Sequence, residues 1–386
     1  MSEPEASEQL GVSENSGQVR EGPTATAAEI LAEYGPGAGL ASGISPFAGG
    51  DHERSLAERL AANPLIMAPM ASVTDASYRI MARAGGADLA YSEMISCAGL
   101  HYGSARTQAL VEPDPDEPDV AVQLFGSKPE LFREATEIVV ERLGERLVLI
   151  DINMACPVPK VIRRGEGAAL MDTPELAENI VRACIDGASG VPVTCKIRRG
   201  WYDGEETAPE FAARLEAAGA CAVAVHGRYA PQYYHGEADW GCISRVVEAV
   251  SIPVIGSGDV MDAHDVVRMR AETGVTAVMV ARGTYGNPWI FDDARRVMAG
   301  EEPCPHTTLE RVRAFALHVR LLEAVGTSLK RARMLAGWYF KGMYDASSWR
   351  AAAMECSTLQ EFLDLTTALE EELVRAGAVG EAGYGC

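Results

Sequence analysis

Eight short apolar runs, each finishing in a polar or glycine-containing signature, constrain this chain more than any other feature. They are LIMAPM (65–70), LAYSEM (89–94), VAVQLFG (120–126), LVLIDIN (147–153), VPVTCKI (191–197), CAVAVHG (221–227), IPVIGSG (252–258) and AVMVARG (277–283). Continuous, β-branched runs of this kind suit strands buried on both faces, as in a parallel sheet. Amphipathic stretches separate them, among them ELFREATEIVVERL, ELAENIVRACI, PEFAARLEAAG and AHDVVRMRAETG. Eight strand–helix units in succession predict an α/β fold, specifically a (β/α)8 TIM barrel. Functional groups in such a barrel gather at the C-terminal strand ends. Here those ends read APM, SEM, QLFG, DIN, KIR, HGR, GSGD and ARG.

The pattern sets three regions. Residues 1–55 are rich in Glu, Ser, Gly, Ala and Pro and read as a mobile acidic extension, with a linker at GPGAGLASGISPFAGG and one short helix near AAEILAEY. Residues 56–303 hold the barrel. Residues 304–386 show helical periodicity only, from HTTLERVRAFALHVRLLEAVG to EFLDLTTALEEELV, and read as an appended helical bundle.

Composition narrows the function. No apolar run is long enough for a transmembrane helix. The first residues lack the basic and apolar regions of a secretory signal, so the cytoplasm is expected. The 9 cysteines are scattered, without CxxC or Cys/His spacing, so neither a metal site nor a disulfide framework is expected. A net charge of −21 argues against a generic nucleic-acid binder. It leaves room for a local basic track, which is all that phosphate binding needs. The oligomeric state is open.

Candidate site residues lie at the run ends. Ser257, Gly258 and Asp259, with Ala281, Arg282 and Gly283, follow the seventh and eighth runs, where barrels often bind phosphate through backbone N–H groups. Lys196 ends the fifth run; a compact ammonium suits an electron-rich flavin edge, and the bland reading is a solvated rim lysine. His226 ends the sixth run, placed to donate to a ligand carbonyl. Gln123 and Asn153 carry amides able to read a flavin or base edge. Cys156 follows a strand and precedes Pro157 and Pro159, so its loop is fixed; by spacing alone it reads as a small buried hydrophobe. Lys160, Arg163, Arg164, Arg198, Arg199, Lys330, Arg331, Arg333 and Lys341 are either a phosphate-binding groove or solvated partners of the many acids.

Across roughly residues 64–345 the chain resembles the tRNA-dihydrouridine synthases, closest to their bacterial B-like subgroup. The segments that carry the resemblance are APMASVTD, SEM, QLFGS, DINMACPVPKV, TCKIRRGW, VHGR, GSGDV and ARGTYGNPWIF. The resemblance implies an FMN enzyme reduced by NADPH that converts uridines in tRNA to 5,6-dihydrouridine. It implies that Pro69, Met70, Ala71, Gln123 and Lys196 hold the flavin, together with the glycine-rich loops, and that His226 stands at the flavin edge. It implies that Asn153, Lys196, His226, Arg198 and Arg333 meet the substrate. Hydride passes from flavin N5 to uracil C6 in this scheme, and Cys156 gives a proton to C5 as a neutral thiol. Three departures stand out: Ala155 where the family has Gly, Ser257 where Asn is common, and Arg333-Met334-Leu335-Ala336-Gly337-Trp338-Tyr339 where the family has R-K-H-x-x-W-Y. The alternative reading is an FMN barrel acting on a free pyrimidine or dihydropyrimidine. An RNA-binding protein that keeps the barrel without turnover is a further one.

Overall fold

A computed structural model describes residues 25–51 and 53–376. All eight apolar runs become strands: β1 (Leu65–Met67), β2 (Leu89–Ala90), β4 (Val120–Phe125), β5 (Leu147–Met154), β6 (Val193–Gly200), β7 (Ala222–Tyr229), β8 (Val254–Ser257) and β9 (Ala277–Val280). A ninth, β3 (Ile95–Ser96), has only two residues and no periodic signature to announce it. The expectation of eight strands is therefore corrected to a nine-stranded parallel sheet, ordered β2-β1-β9-β8-β7-β6-β5-β4-β3. The sheet curls strongly. Beyond β2, Tyr91 makes a parallel bridge to Ala121, and the Ser92 N–H donates to the Ala121 carbonyl at 2.8 Å.

Alternation along the strands sorts two cores. Inward side chains, including Ile66, Leu89, Tyr91, Ala121, Leu149, Ala222, Ala224, Ile255 and Met279, form one cluster inside the curl. The alternate residues, such as Val122, Ile150, Ile152, Val193, Cys195, Val223 and Val225, belong to the larger core shared with the surrounding helices. Those helices include Pro129–Leu143, Pro174–Gly187, Ala208–Ala217 and Ala263–Thr273, where the amphipathic stretches predict them. The same period of two puts Gln123, Asp151, Asn153, Thr194, Lys196, Arg198 and His226 on the inward face, towards the C-terminal strand ends.

The N-terminal expectation fails in part. The helix Ala27–Tyr34 forms, with Thr26 and Glu29 in a reciprocal capping box. The stretch read as a linker is packed. Ala38, Leu40 and Phe47 are buried, the Trp289 indole donates to the Ala38 carbonyl at 2.9 Å, and Arg83 donates to the Ser45 carbonyl at 2.6 Å. Glycine-rich composition suggested slack, yet the few apolar side chains suffice to pin the chain. The remainder of that acidic segment, residues 1–24, lies outside the described residues.

Beyond the sheet, the helices Thr308–Ala324, Lys330–Tyr339, Ala346–Glu355 and Leu359–Arg375 form the C-terminal helical bundle. Trp338 stacks on Tyr285 of a strand-end loop, with centroids 3.9 Å apart and planes 7° off parallel. Arg331 reaches from the bundle to Asp75 at 2.7 Å and Glu93 at 3.2 Å. Among the described residues no helix is long and apolar enough to cross a membrane, and no group of three or more potential metal ligands occurs. Cys304 is disulfide-bonded, which the scattered spacing does not signal.

Candidate active site

Strand register assembles the site. Asn153 on β5 is level with Lys196 on β6, Arg198 on β6 with His226 on β7, and His226 with Ser257 on β8. Side chains from four adjacent strands thus converge at one rim. They border a cavity of about 490 Å³, within the range of small-molecule sites. Its lining includes Pro69, Met70, Ala71, Asn153, Cys156, Lys196, Arg198, His226, Ser257, Gly258, Asp259, Ala281 and Arg282. Three predicted residues lie elsewhere, the buried Gly283 among them. Gln123 is completely buried beneath the cavity, donating to Asp151 at 2.6 Å and accepting from Asn153 at 2.7 Å. Arg333 sits in the bundle and donates to the Cys356 carbonyl at 2.9 Å.

Lys196 is 8% exposed, and its side-chain ammonium makes no hydrogen bond or ion pair with any described residue. Burial, then the neighbouring Arg198, lowers its pKa to about 8. His226 is pushed well below its ordinary value by burial and then by Lys196, Arg198, Arg228 and Arg282, so its ring is neutral. Arg228 Nη1 lies 3.3 Å from His226 Nε2. A guanidinium only donates, so Nε2 accepts and the proton resides on Nδ1. Arg228 is itself fixed by Asp259 at 2.7 and 2.8 Å and by the carbonyls of His235 and Gly236.

Cys156 is half-buried, and burial raises its thiol pKa, so the sulfur is protonated at neutral pH. Its own N–H and that of Ala155 donate to Asn153 Oδ1 at 2.9 and 3.2 Å. Ala155 has no positive φ, so the family's Gly is not required there. Gly258 is different. Its φ is +110°, and a Cβ would sit 2.7 Å from His226 Cδ2 and 2.9 Å from Ala238 Cβ.

The basic residues divide. Arg198 donates to the carbonyls of Ala155, Tyr229 and Tyr233, Arg199 pairs with Glu206 and Asp239, and Arg331 is committed as described. For these, as for Arg333, internal partners replace the expected phosphate groove. Lys160, Arg163, Arg164, Lys330 and Lys341 are exposed.

The profile of the family described as "Dihydrouridine synthase (Dus)" matches residues 66–376. The chain belongs to this family. It is 34% identical over 305 residues to a protein of Synechocystis sp. named "Probable tRNA-dihydrouridine synthase 1", covering 78% of this chain and 84% of that one. It is 36% identical over 310 residues to "tRNA-dihydrouridine synthase B" of Xanthomonas axonopodis pv. citri, covering 78% and 91%. Among solved structures, morphinone reductase gives a TM-score of 0.42 at 13% identity, covering 62% of this chain and 86% of that one, a likeness too weak to argue from. This dihydrouridine synthase family member is an enzyme, a flavin-dependent oxidoreductase.

Sequence reasoning missed several site residues of this family member. Tyr233, Tyr234 and Tyr285 line the cavity from loops, where no periodicity marks them. Arg228 and Asp151 were legible in principle: each lies two residues from a predicted inward residue on the same strand, and so shares its face.

The site suits a flavin mononucleotide. Three cations, Lys196, Arg198 and Arg282, and one carboxylate, Asp259, line the cavity, a local positive excess in an acidic protein. Gly258 gives a ligand close access to backbone. The unpaired ammonium of Lys196 needs an acceptor.

Proposed function

We propose that this enzyme reduces specific uridines in tRNA to 5,6-dihydrouridine, with FMN as cofactor and NADPH as reductant. The observation that carries the reading is the neutral Cys156 thiol on the border of the same cavity as the unpaired Lys196 ammonium. FMN, when bound, supplies a hydride from N5 to uracil C6. Every other task falls to the protein. Pro69, Met70 and Ala71 would hold the flavin, and Ser257, Gly258, Ala281 and Arg282 would receive its phosphate. Asp259 orients Arg228 and Arg282 for that purpose. Lys196 stabilises negative charge at the flavin pyrimidine edge. His226 donates through Nδ1. Arg198 holds the Cys156 loop through the Ala155 carbonyl. The Cys156 Sγ–H gives its proton to C5 as charge builds there.

The target base must leave its stack to reach the cavity, and tRNA loops make that extrusion cheap. The bundle, stacked on a cavity-lining loop through Trp338 and Tyr285, favours a macromolecular substrate over a free pyrimidine. Lys160, Arg163, Arg164, Lys330 and Lys341 are the cations left for tRNA phosphates. In this reading residues 56–303 form a (β/α)8 barrel closed by the Tyr91–Ala121 bridge, residues 304–386 a tRNA-binding domain, and the enzyme works in the cytoplasm.

Cys156→Ala is the direct test. The variant is expected to stay yellow and to be reduced by NADPH, yet to make no dihydrouridine when tRNA is mapped by mass spectrometry. Normal dihydrouridine formation would remove Cys156 from the mechanism. Free uracil reduced as fast as tRNA would favour the small-substrate reading.

A further inference from the structure

Under the cavity lies a row of buried polar side chains that the proposed chemistry does not use. Gln123, Asp151 and Thr194 are level with one another on β4, β5 and β6. Gln123 and Asp151 are fully buried and Thr194 nearly so. Thr194 Oγ1 donates to Asp151 Oδ1 at 2.6 Å, and Gln123 Nε2 donates to Oδ2 at 2.6 Å. Asn153 Nδ2 then donates to Gln123 Oε1 at 2.7 Å, and Asn153 Oδ1 accepts from the Cys156 N–H at 2.9 Å and the Ala155 N–H at 3.2 Å.

Such a chain has a direction, and one member sets it. A carboxylate only accepts, so both neighbours of Asp151 must donate to it. That turns the Gln123 oxygen towards Asn153. It forces the Asn153 amide nitrogen to face Gln123 and leaves Oδ1 as the only atom for the two backbone N–H groups. With the chain reversed, the Asn153 amide nitrogen would meet those N–H groups, donor against donor, and both bonds to the cysteine loop would be lost.

We propose that Asp151 is a positioning residue for Cys156: the buried carboxylate polarises the Gln123–Asn153 relay and so holds the Ala155–Cys156 backbone at the cavity rim. Its consequence for turnover rests on Cys156 being the proton donor; its consequence for the loop does not. Gln123 and Asn153 thus act on the thiol through its backbone, in addition to any contact with a ligand.

A charge-swapped pair of variants tests the direction in the full-length, FMN-loaded enzyme. Asn153→Asp places a second obligate acceptor in the relay, so the Gln123 oxygen meets a carboxylate whichever way it turns. Dihydrouridine formation is expected to fall by about 100-fold, as when a charge-assisted hydrogen bond becomes a repulsion. Site-resolved alkylation of Cys156 by iodoacetamide should depart from the wild-type rate as well. In the double variant Asp151→Asn/Asn153→Asp the relay runs backwards with every atom paired. The new amide at position 151 donates to the turned Gln123, and Gln123 donates to the new carboxylate at position 153, which still accepts from the loop. The double variant is expected to recover at least about tenfold in turnover over Asn153→Asp alone, and a near-native alkylation rate. If Asn153→Asp fails to fold, recovery of soluble yellow protein by the second substitution is the readout. A double variant no better than Asn153→Asp, or an Asn153→Asp enzyme indistinguishable from wild type, overturns the proposal. Alkylation reports on the loop whatever chemical role Cys156 has, so a failed relay and a failed acid assignment give different results.

Discussion

Two regions of this molecule bury arginines, and they do so for opposite ends. Beside the N-terminal segment, Arg79 meets Glu117 through two bonds of 2.7 and 2.6 Å, and Arg83 meets Asp119 at 2.6 Å. Each of these two cations has its own carboxylate. Burial pulls the Arg79 pKa down, but the Glu117 charge and hydrogen bonds outweigh it and the net shift is upward. At the strand-end cavity the cations outnumber the carboxylates. Burial lowers Arg198 to about 10 and Lys196 to about 8, and local anions do not restore them. Those two pairs are electrostatically complete and need nothing further. The second region is stable only because the rest of the fold bears its cost, and in the proposed reading an anionic ligand completes it.

Breaking a complete pair should hurt the fold and leave the site alone. Glu117→Ala strands a buried guanidinium, and an expected loss of about 3–5 kcal/mol follows. Thermal or denaturant unfolding reads it, with the FMN stoichiometry of the folded fraction unchanged. A loss under about 1 kcal/mol would mean that Arg79 finds another partner and that the contrast is false. Lys196→Met should do the reverse. It removes a cation the apoprotein cannot compensate, so the flavin-free protein is expected to gain up to about 3 kcal/mol at neutral pH. FMN affinity should meanwhile drop by about 100-fold, the scale of one charge-assisted hydrogen bond in a buried site. Fluorescence titration of FMN measures the second effect; unchanged affinity would take Lys196 out of the flavin site.

The same contrast explains what could be read in the sequence. Strand runs were legible because burial on both faces leaves an unbroken apolar signature, and run ends were legible because polar residues interrupt it. Lys196, His226 and the Gly258 loop were found this way. β3 was not, since two residues carry no period. Ala38, Leu40 and Phe47 were masked by the glycines around them, because composition reports average slack while a few anchors decide the outcome. The fate of the basic residues was equally hidden. Arg198 and Arg333 look alike in sequence, but the first has three carbonyls from two strand ends around it and the second a helix end in the bundle. Only tertiary placement shows which backbone each cation ties down.

The weakest of these effects, a pH dependence, sharpens the comparison most. Lys196 is depressed from 10.5 in the unfolded chain to about 8 in the folded apoprotein. Below about 8 both states hold the proton, and the cost of the buried charge is fully present. Between about 8 and about 10.5 the unfolded chain still holds it while the folded chain has released it, so stability rises with pH through that window. The advantage of Lys196→Met should therefore shrink from about 3 kcal/mol at pH ~7 to about 1 kcal/mol at pH ~10. Denaturant titrations of both apoproteins across that range measure the difference directly, and ionisations common to the two proteins cancel. Parallel curves would mean that Lys196 is neutralised by a group already in the fold. The cavity would then be as complete as the Arg79–Glu117 pair, and its claim on an anionic ligand would lose its physical basis.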